Sequence, residues 1–186
     1  ADAHSTYKSN YISECVRGLQ KYSADNVGGR WVTIPRTDSL VAQAICHATT
    51  NVFGVGNAYY RLRRFFSDAP LVSEPSWDIH VAFFCCKREV FAEVGLFNEH
   101  LTRSEDIDFR ARLRAAGLRT LFMPTVVCYY SMRTNYVDLV KHMFSNGLWV
   151  LLPLRHASRV AFSFRHVVPL LFVFTLTGTG VLAMGS

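Results

Sequence analysis

The stretch FCCKREVFAEVGLFNEHLTRSEDIDFRARLRAAG, from Phe84 to Gly117, organises the rest of the chain. It predicts a strand, a short helix, a loop and a second helix, in that order. Thr102 is followed three residues later by Glu105, which is the spacing of a capping box, so the second helix is expected to begin near Ser104. Gly117 is typical of the residue just after a helix end.

Three carboxylates fall in the first turn of that second helix: Glu105, Asp106 and Asp108. Acidic side chains at a helix N-terminus interact favourably with the helix dipole, by up to about 1 kcal/mol each, so a purely structural role is one interpretation. Phe109, Leu113 and Ala116 share one face, which is expected to be buried. Asp106 lies one turn before Phe109 at the edge of that face. A half-buried carboxylate at a cleft rim suits a catalytic base.

The whole stretch resembles the acceptor-side segment of glycosyltransferase family 2. The common form in that family is RR-x-x-F-x-x-x-G-x-F-[DN]-E followed by a helix that begins Glu-Asp, and the letters here are KREVFAEVGLFNE and ED. Family members commonly carry a small residue where Phe84 stands, which leaves the shape of the acceptor pocket open. The resemblance implies that Asp106 takes the acceptor proton and that Glu105 orients the acceptor.

The opening residues Asp2-Ala3-His4 form a second motif. In nucleotide-sugar transferases an Asp-x-Asp sequence holds a divalent cation against two phosphates, because such cations prefer hard oxygen ligands. His4 replaces the second acid here, and imidazole binds Mn²⁺ acceptably although it suits softer metals better. Asp-x-His alone is common in loops. In front of Tyr7 and Tyr11 it resembles the variant in the succinoglycan-biosynthesis branch, which implies that Asp2 and His4 hold Mn²⁺ or Mg²⁺.

A third segment, Lys141 to Trp149, lies where the family places a basic, tryptophan-ended motif behind the donor diphosphate. The resemblance makes Lys141 and Trp149 candidates for contacting that diphosphate, and an ordinary membrane-proximal helix is the alternative. Synthases of long polymers carry Gln-x-x-Arg-Trp at this place. Its absence here argues against a processive synthase.

Other segments predict the remaining elements. Residues 25–31 predict a strand with a glycine pair. The pair resembles that of a family strand whose glycines let the backbone approach a neighbour closely, and a plain turn is the alternative. Helices are expected from Tyr11 to about Tyr22, within residues 39–50, and over Tyr136–Phe144. Residues 119–127 also predict a strand, and Pro124 in it indicates an edge strand or a strand end.

Composition limits the partners and the compartment. The chain has 20 Lys and Arg against 14 Asp and Glu, and the net charge of +6 fits binding to phosphates or to an anionic membrane surface. Nucleic acid is not an expected partner, because no nucleic-acid motif is recognised. The five scattered cysteines contain no CxxC pair, which disfavours zinc and indicates a reducing compartment.

The C-terminal part predicts membrane attachment. Residues 148–166 combine apolar and aromatic residues with Arg155, Arg159 and Arg165, a pattern typical of an interfacial amphipathic segment. Val167–Ala183 carries no charge and is barely long enough for the roughly 20 residues of a membrane span. Arginines before it indicate a cytoplasmic N-terminal side. The expected location is the bacterial inner (plasma) membrane with a cytoplasmic catalytic part, and a buried core helix is the alternative.

The chain is therefore expected to be an α/β protein in three parts. The resemblance implies that residues 1–147 are the C-terminal part of a GT-A, Rossmann-like nucleotide-diphospho-sugar transferase domain. Residues 148–166 would be the interfacial segment, and residues 167–186 a truncated transmembrane helix. The N-terminal half that grips the nucleoside in such enzymes is not among these residues, so the chain by itself is expected to be inactive.

The resemblance implies an inverting, metal-dependent hexosyltransferase. It would move a sugar from a nucleotide-sugar donor, a UDP-sugar, to a lipid-linked saccharide in exopolysaccharide or cell-surface glycan synthesis. Two alternatives remain open at this point. One is a polyprenyl-phosphate sugar synthase, and the other is a membrane-bound module that binds metal or lipid without turnover.

Overall fold

The structure is a computed structural model that describes residues 5–56, 58–62, 72–78, 85–101, 105–151, 171, 173–175 and 177–180. Within these residues the predicted α/β class is confirmed. The elements in chain order are β1 (Ser5–Tyr7), α1 (Tyr11–Lys21), β2 (Asn26–Ile34), α2 (Leu40–Ala48), α3 (Val52–Val55), β3 (Ser76–Trp77), β4 (Cys85–Cys86), α4 (Arg88–Val94), α5 (Glu105–Ala115), β5 (Thr120–Ser131) and α6 (Tyr136–Leu151).

The described strands form one mixed sheet in the order β1-β5-β2-β4, with β3 also paired to β5. Strands β2 and β5 run parallel, whereas β1, β3 and β4 each pair antiparallel with a neighbour. Helix α1 packs on this sheet through Tyr11 and Cys15, which join a buried cluster with Val27 and Leu121. The described residues therefore form an α/β fold with a mixed sheet, and the finer Rossmann-like GT-A class remains a proposal.

The prediction that the strand ends or lies at an edge at Pro124 is wrong. Strand β5 continues through Pro124 and lies inside the sheet between β1 and β2. Residue Gly29 of β2 pairs with Met123, and the next residue of β2 pairs with Val127, so residues 124–126 bulge out of the ladder. Proline has no N–H to donate to a neighbouring strand. Because the bulge leaves residue 124 out of the pairing with β2, an interior strand can contain proline at this position.

The predicted close approach at the glycine pair is confirmed at Gly29. A Cβ built on Gly29 would lie 2.0 Å from the carbonyl oxygen of Val126 and 2.5 Å from the Cβ of Val126. Val126 belongs to the β5 bulge, so the bulged backbone occupies the space that a side chain at position 29 would need. Glycine is therefore needed at position 29 for the bulge to form and for β2 to pair with β5 as it does.

Helix α5 begins at Glu105, one residue after the predicted start, and the capping residues 102–104 lie outside the described part of the chain. Its C-terminus forms a Schellman motif. Leu118 N–H donates to the Leu113 carbonyl at 3.0 Å, Gly117 N–H donates to the Arg114 carbonyl at 3.2 Å, and Gly117 has a φ of +76°. The expected burial of Ala116 is wrong: it follows the last helical residue and is exposed.

Helix α6 extends to Leu151, beyond the predicted end at Phe144, so the expected domain boundary after residue 147 falls within a helix. Residues 152–170 lie outside the described part of the chain. The predicted span Val167–Ala183 is described only at Leu171 and residues 173–175 and 177–180, which are helical. Among the described residues, no helix has the length and apolar character needed to cross a membrane.

Candidate functional site

The N-terminus of α5 is held by a small hydrophobic cluster between α4 and α5. Val90, Phe109 and Leu113 are buried at its centre, and Cys86 of β4 packs against them. Phe91, Phe97 and Phe109 form a group of three rings. The ring centre of Phe109 lies 5.4 Å from that of Phe91 and 4.6 Å from that of Phe97, and the centres of Phe91 and Phe97 are 6.3 Å apart. These contacts place the acidic first turn of α5 next to α4 and the segment that follows it.

Asp108 of the acidic turn has a structural role. Its carboxylate is buried and accepts a hydrogen bond from Nε of Arg112 at 3.0 Å, one turn along α5. Arg112 also donates to the Val94 carbonyl at the end of α4, and its guanidinium lies 5.2 Å from the ring centre of Phe109. Asp108 therefore neutralises an arginine that joins the two helices, which leaves it unsuited to act as a base.

Asp106 and Glu105 are the carboxylates of this turn that remain available for proton transfer, and Asp106 is the more buried of the two. It is half-buried, makes none of the ion pairs found among the described residues, and accepts a hydrogen bond from the N–H of Ile107 at 2.9 Å. Burial raises the pKa of Asp106 above its ordinary value of 3.8, and the neighbouring charge of Glu105 raises it further. A raised pKa makes this carboxylate a better proton acceptor than an ordinary surface aspartate.

The raised pKa of Asp106 has a consequence for stability. Because the folded state holds this proton more tightly than the unfolded state, stability falls as pH rises through the folded-state pKa, and the ionised carboxylate destabilises the fold at neutral pH. We therefore expect Asp106→Asn to be more stable than the wild type at pH 7. The difference should shrink as pH falls through the folded-state pKa and be lost below 3.8, where Asp106 is protonated in both states. Urea unfolding of both proteins at pH 7 and at a pH below 3.8 measures the difference in the free energy of unfolding. The same difference at both pH values would contradict the burial argument.

A basic cleft of about 350 Å³ lies at the far end of β2 and β5. It is lined by Arg36, Ser131, Met132, Arg133, Asp138, Lys141 and His142. Three of these residues are arginine or lysine and one is aspartate, and none of the ion pairs among the described residues involves Arg36, Arg133 or Lys141. The cleft therefore carries a net positive charge that a bound anion could neutralise.

The parallel pairing of β2 and β5 explains why these cations meet. Ile34 pairs with Ser131 at the C-terminal ends of both strands, so the residues that follow each strand emerge at the same edge of the sheet. Arg36 follows β2 and Arg133 follows β5. Asn135 caps α6, because its side-chain oxygen accepts the N–H of Asp138 at 2.8 Å, and the first turns of α6 then bring Lys141 to the cleft.

The predicted metal ligands Asp2 and His4 lie outside the described residues. His4 is bonded to Ser5, and Ser5 pairs with Tyr130, one residue before Ser131 of the cleft. In the described ranges there is no group of three or more His, Cys, Asp or Glu side chains that could hold a metal ion. Trp149 lies in the last turns of α6, and its side chain is outside the described part.

The structure places the predicted site residues that it describes at two separate locations. Glu105 and Asp106 adjoin one another on α5, and Lys141 lies in the basic cleft on α6, which packs through Leu139 on a different hydrophobic cluster. Sequence reasoning missed Arg36 and Arg133 as members of a site. Each follows a strand, and the signal that could have found them is the parallel pairing of those two strands.

Comparison of the chain with protein-family models, with curated protein sequences and with solved structures gives no match. The resemblance to glycosyltransferase family 2 therefore rests on the residues quoted from the sequence.

Proposed function

We propose that this chain is the C-terminal part of a membrane-attached, inverting glycosyltransferase of the GT-A type. The donor is a nucleotide-sugar, a UDP-sugar, and the acceptor is a lipid-linked saccharide in exopolysaccharide or cell-surface glycan synthesis. The stretch from Phe84 to Gly117 resembles the family's acceptor-side segment, whereas no segment resembles the strands that grip the nucleoside. The proposal therefore places the nucleoside-binding half outside these residues, and transfer is to be measured on an enzyme with both halves.

The observation that carries the proposal is the basic cleft beside the start of β1. A nucleotide-sugar offers a diphosphate, which binds where several cations converge without ion-pair partners. Arg36, Arg133 and Lys141 supply such charge at the sheet edge where Ser5 pairs with Tyr130. Under the proposal, that edge receives the donor diphosphate, and the leaving nucleoside diphosphate stays there after transfer.

Asp106 would act on the other substrate. Its carboxylate would accept the proton of the acceptor hydroxyl while that oxygen forms a bond to the anomeric carbon and the bond from this carbon to the diphosphate breaks. The half-buried position and raised pKa of Asp106 support this role. Glu105, exposed beside it, would orient the acceptor through hydrogen bonds.

The cation of the proposal is Mn²⁺ or Mg²⁺. A carboxylate and an imidazole fit Mn²⁺ as donors, and the start of β1 lies beside the basic cleft, so Asp2 and His4 would hold the ion there. When bound, it supplies charge neutralisation for the leaving diphosphate. The roles of Asp106 and of the cleft cations do not depend on its geometry.

Loss of one cleft cation tests the proposal. We expect Lys141→Gln to raise the Kd for UDP about tenfold in the presence of Mn²⁺, because one charge-assisted contact to the diphosphate is lost. Isothermal titration on the enzyme with both halves measures this change.

Lys21→Gln is the matched control, because Lys21 is an exposed lysine at the end of α1 and lines no part of the cleft. It should leave the Kd for UDP unchanged. Equal effects of the two substitutions would mean that the net charge of the protein, not the cleft, attracts UDP. No effect of Lys141→Gln would remove the diphosphate from the cleft and the proposal would lose its main support.

A further inference from the structure

Helix α6 carries an apolar face that no other described element covers. Its members are exposed large hydrophobic side chains: Tyr136, Val137, Val140, Met143, Phe144 and Leu148. At 100° per residue they occupy an arc of about 140° on one side of the helix. Phe144 is 69% exposed and Val140 is 65% exposed, and the described residues of the arc include no charged side chain.

The opposite side of α6 already has its partner. Leu139 packs against the buried cluster that contains Ile45, Cys46, Tyr130 and Met132. The helix is therefore anchored on the domain by one face, and the exposed arc is a second apolar surface. Soluble monomeric proteins rarely expose contiguous apolar surfaces of more than a few hundred Å², and larger ones mark protein or membrane contacts.

We propose that this second face of α6 is a membrane-docking surface that inserts into the interface of an anionic bilayer. Lys141 lies at the margin of the arc, and Arg36 and Arg133 line the adjoining cleft, so positive charge borders the apolar surface. This pairing of an apolar face with flanking cations is what an interfacial helix needs. Anionic head groups attract cations near the surface.

The charge of the chain favours a bilayer over a second copy as the occupant. Two copies, each with a net charge of +6 over the whole chain, would repel one another, whereas an anionic bilayer attracts the chain. The chain also continues from α6 into Arg155, Arg159 and Arg165 and then into the uncharged stretch Val167–Ala183. The surface extends the membrane-binding region from residue 148 back to Tyr136, into the α/β domain itself. The inference does not depend on the proposed sugar transfer.

Hydrogen exchange on the full chain tests this surface separately from the tail. Adding vesicles of mixed phosphatidylglycerol and phosphatidylcholine should slow exchange in the segment 136–148 about tenfold or more, because docking removes it from water. Val140→Glu combined with Phe144→Glu should abolish this protection, since both side chains would carry charge into the interface.

The matched control is Ile12→Glu combined with Val16→Glu. These residues are also four apart and exposed, on α1, at 66% and 40%. This control should keep the protection of α6, and circular dichroism checks that both variants fold. Protection confined to residues after 151 would overturn the proposal. So would protection of α6 before vesicles are added, which would indicate cover by the chain's own tail, or protection that grows with protein concentration, which would indicate a second copy.

Discussion

Replacing Asp106 by Asn is expected to lower sugar transfer about 100-fold or more at saturating acceptor, because the proton of the acceptor hydroxyl then has no recipient. The amide keeps the shape of the side chain and can still accept the hydrogen bond from the N–H of Ile107. Initial rates on the enzyme with both halves measure the change. The same substitution is expected to stabilise the fold at neutral pH, so lost transfer cannot be attributed to unfolding.

Glu89→Gln provides the control for this experiment. Glu89 is an exposed carboxylate in the first turn of α4, the helix that packs beside α5, and its substitution removes one charge of the same kind. It should leave the rate of transfer within about a factor of two, as an ordinary surface change does. Comparable turnover in Asp106→Asn and the wild type would return Asp106 to a helix-capping role.

Replacing Gly29 by Ala is expected to destabilise the fold by about 3 kcal/mol, because the added methyl group overpacks an interior strand. Its nearest atom would be the Val126 carbonyl oxygen at 2.0 Å, which belongs to the backbone and cannot turn away as a flexible side chain could. Relief requires the β5 bulge to move, and β5 is the strand that β1, β2 and β3 all pair with. Urea unfolding followed by circular dichroism gives the change.

The same substitution at Gly147 is the control, and it should have the opposite sign. Gly147 lies within α6, where an added Cβ meets nothing within 4 Å. Alanine there should stabilise the helix by about 0.5 to 1 kcal/mol, since it restricts the unfolded chain more than glycine does. If both variants lost similar stability, the effect would be general to glycine replacement, and the close contact with Val126 would not explain it.

Local patterns in the sequence predicted the elements that carry the proposed base. The strand, short helix, loop and acidic helix of residues 84–117 occur in that order where the structure describes them, and the helix stop at Gly117 is confirmed. These features depend on residues a few positions apart, such as Leu113 and Leu118 in the Schellman motif. Side-chain periodicity and capping chemistry act over that distance, so the sequence by itself determined them.

Long-range pairing decided what the sequence left open. Pro124 indicated a strand end, and only the three-residue bulge opposite Gly29 shows how an interior strand accommodates proline. The sequence assigned no separate role to Asp108, and the structure shows that it pairs with Arg112, whereas Asp106 is half-buried and has no ion pair among the described residues. Arg36 and Arg133 are about a hundred residues apart and meet because β2 and β5 are parallel. Contacts between residues so far apart depend on which strands become neighbours, and no local pattern encodes that choice.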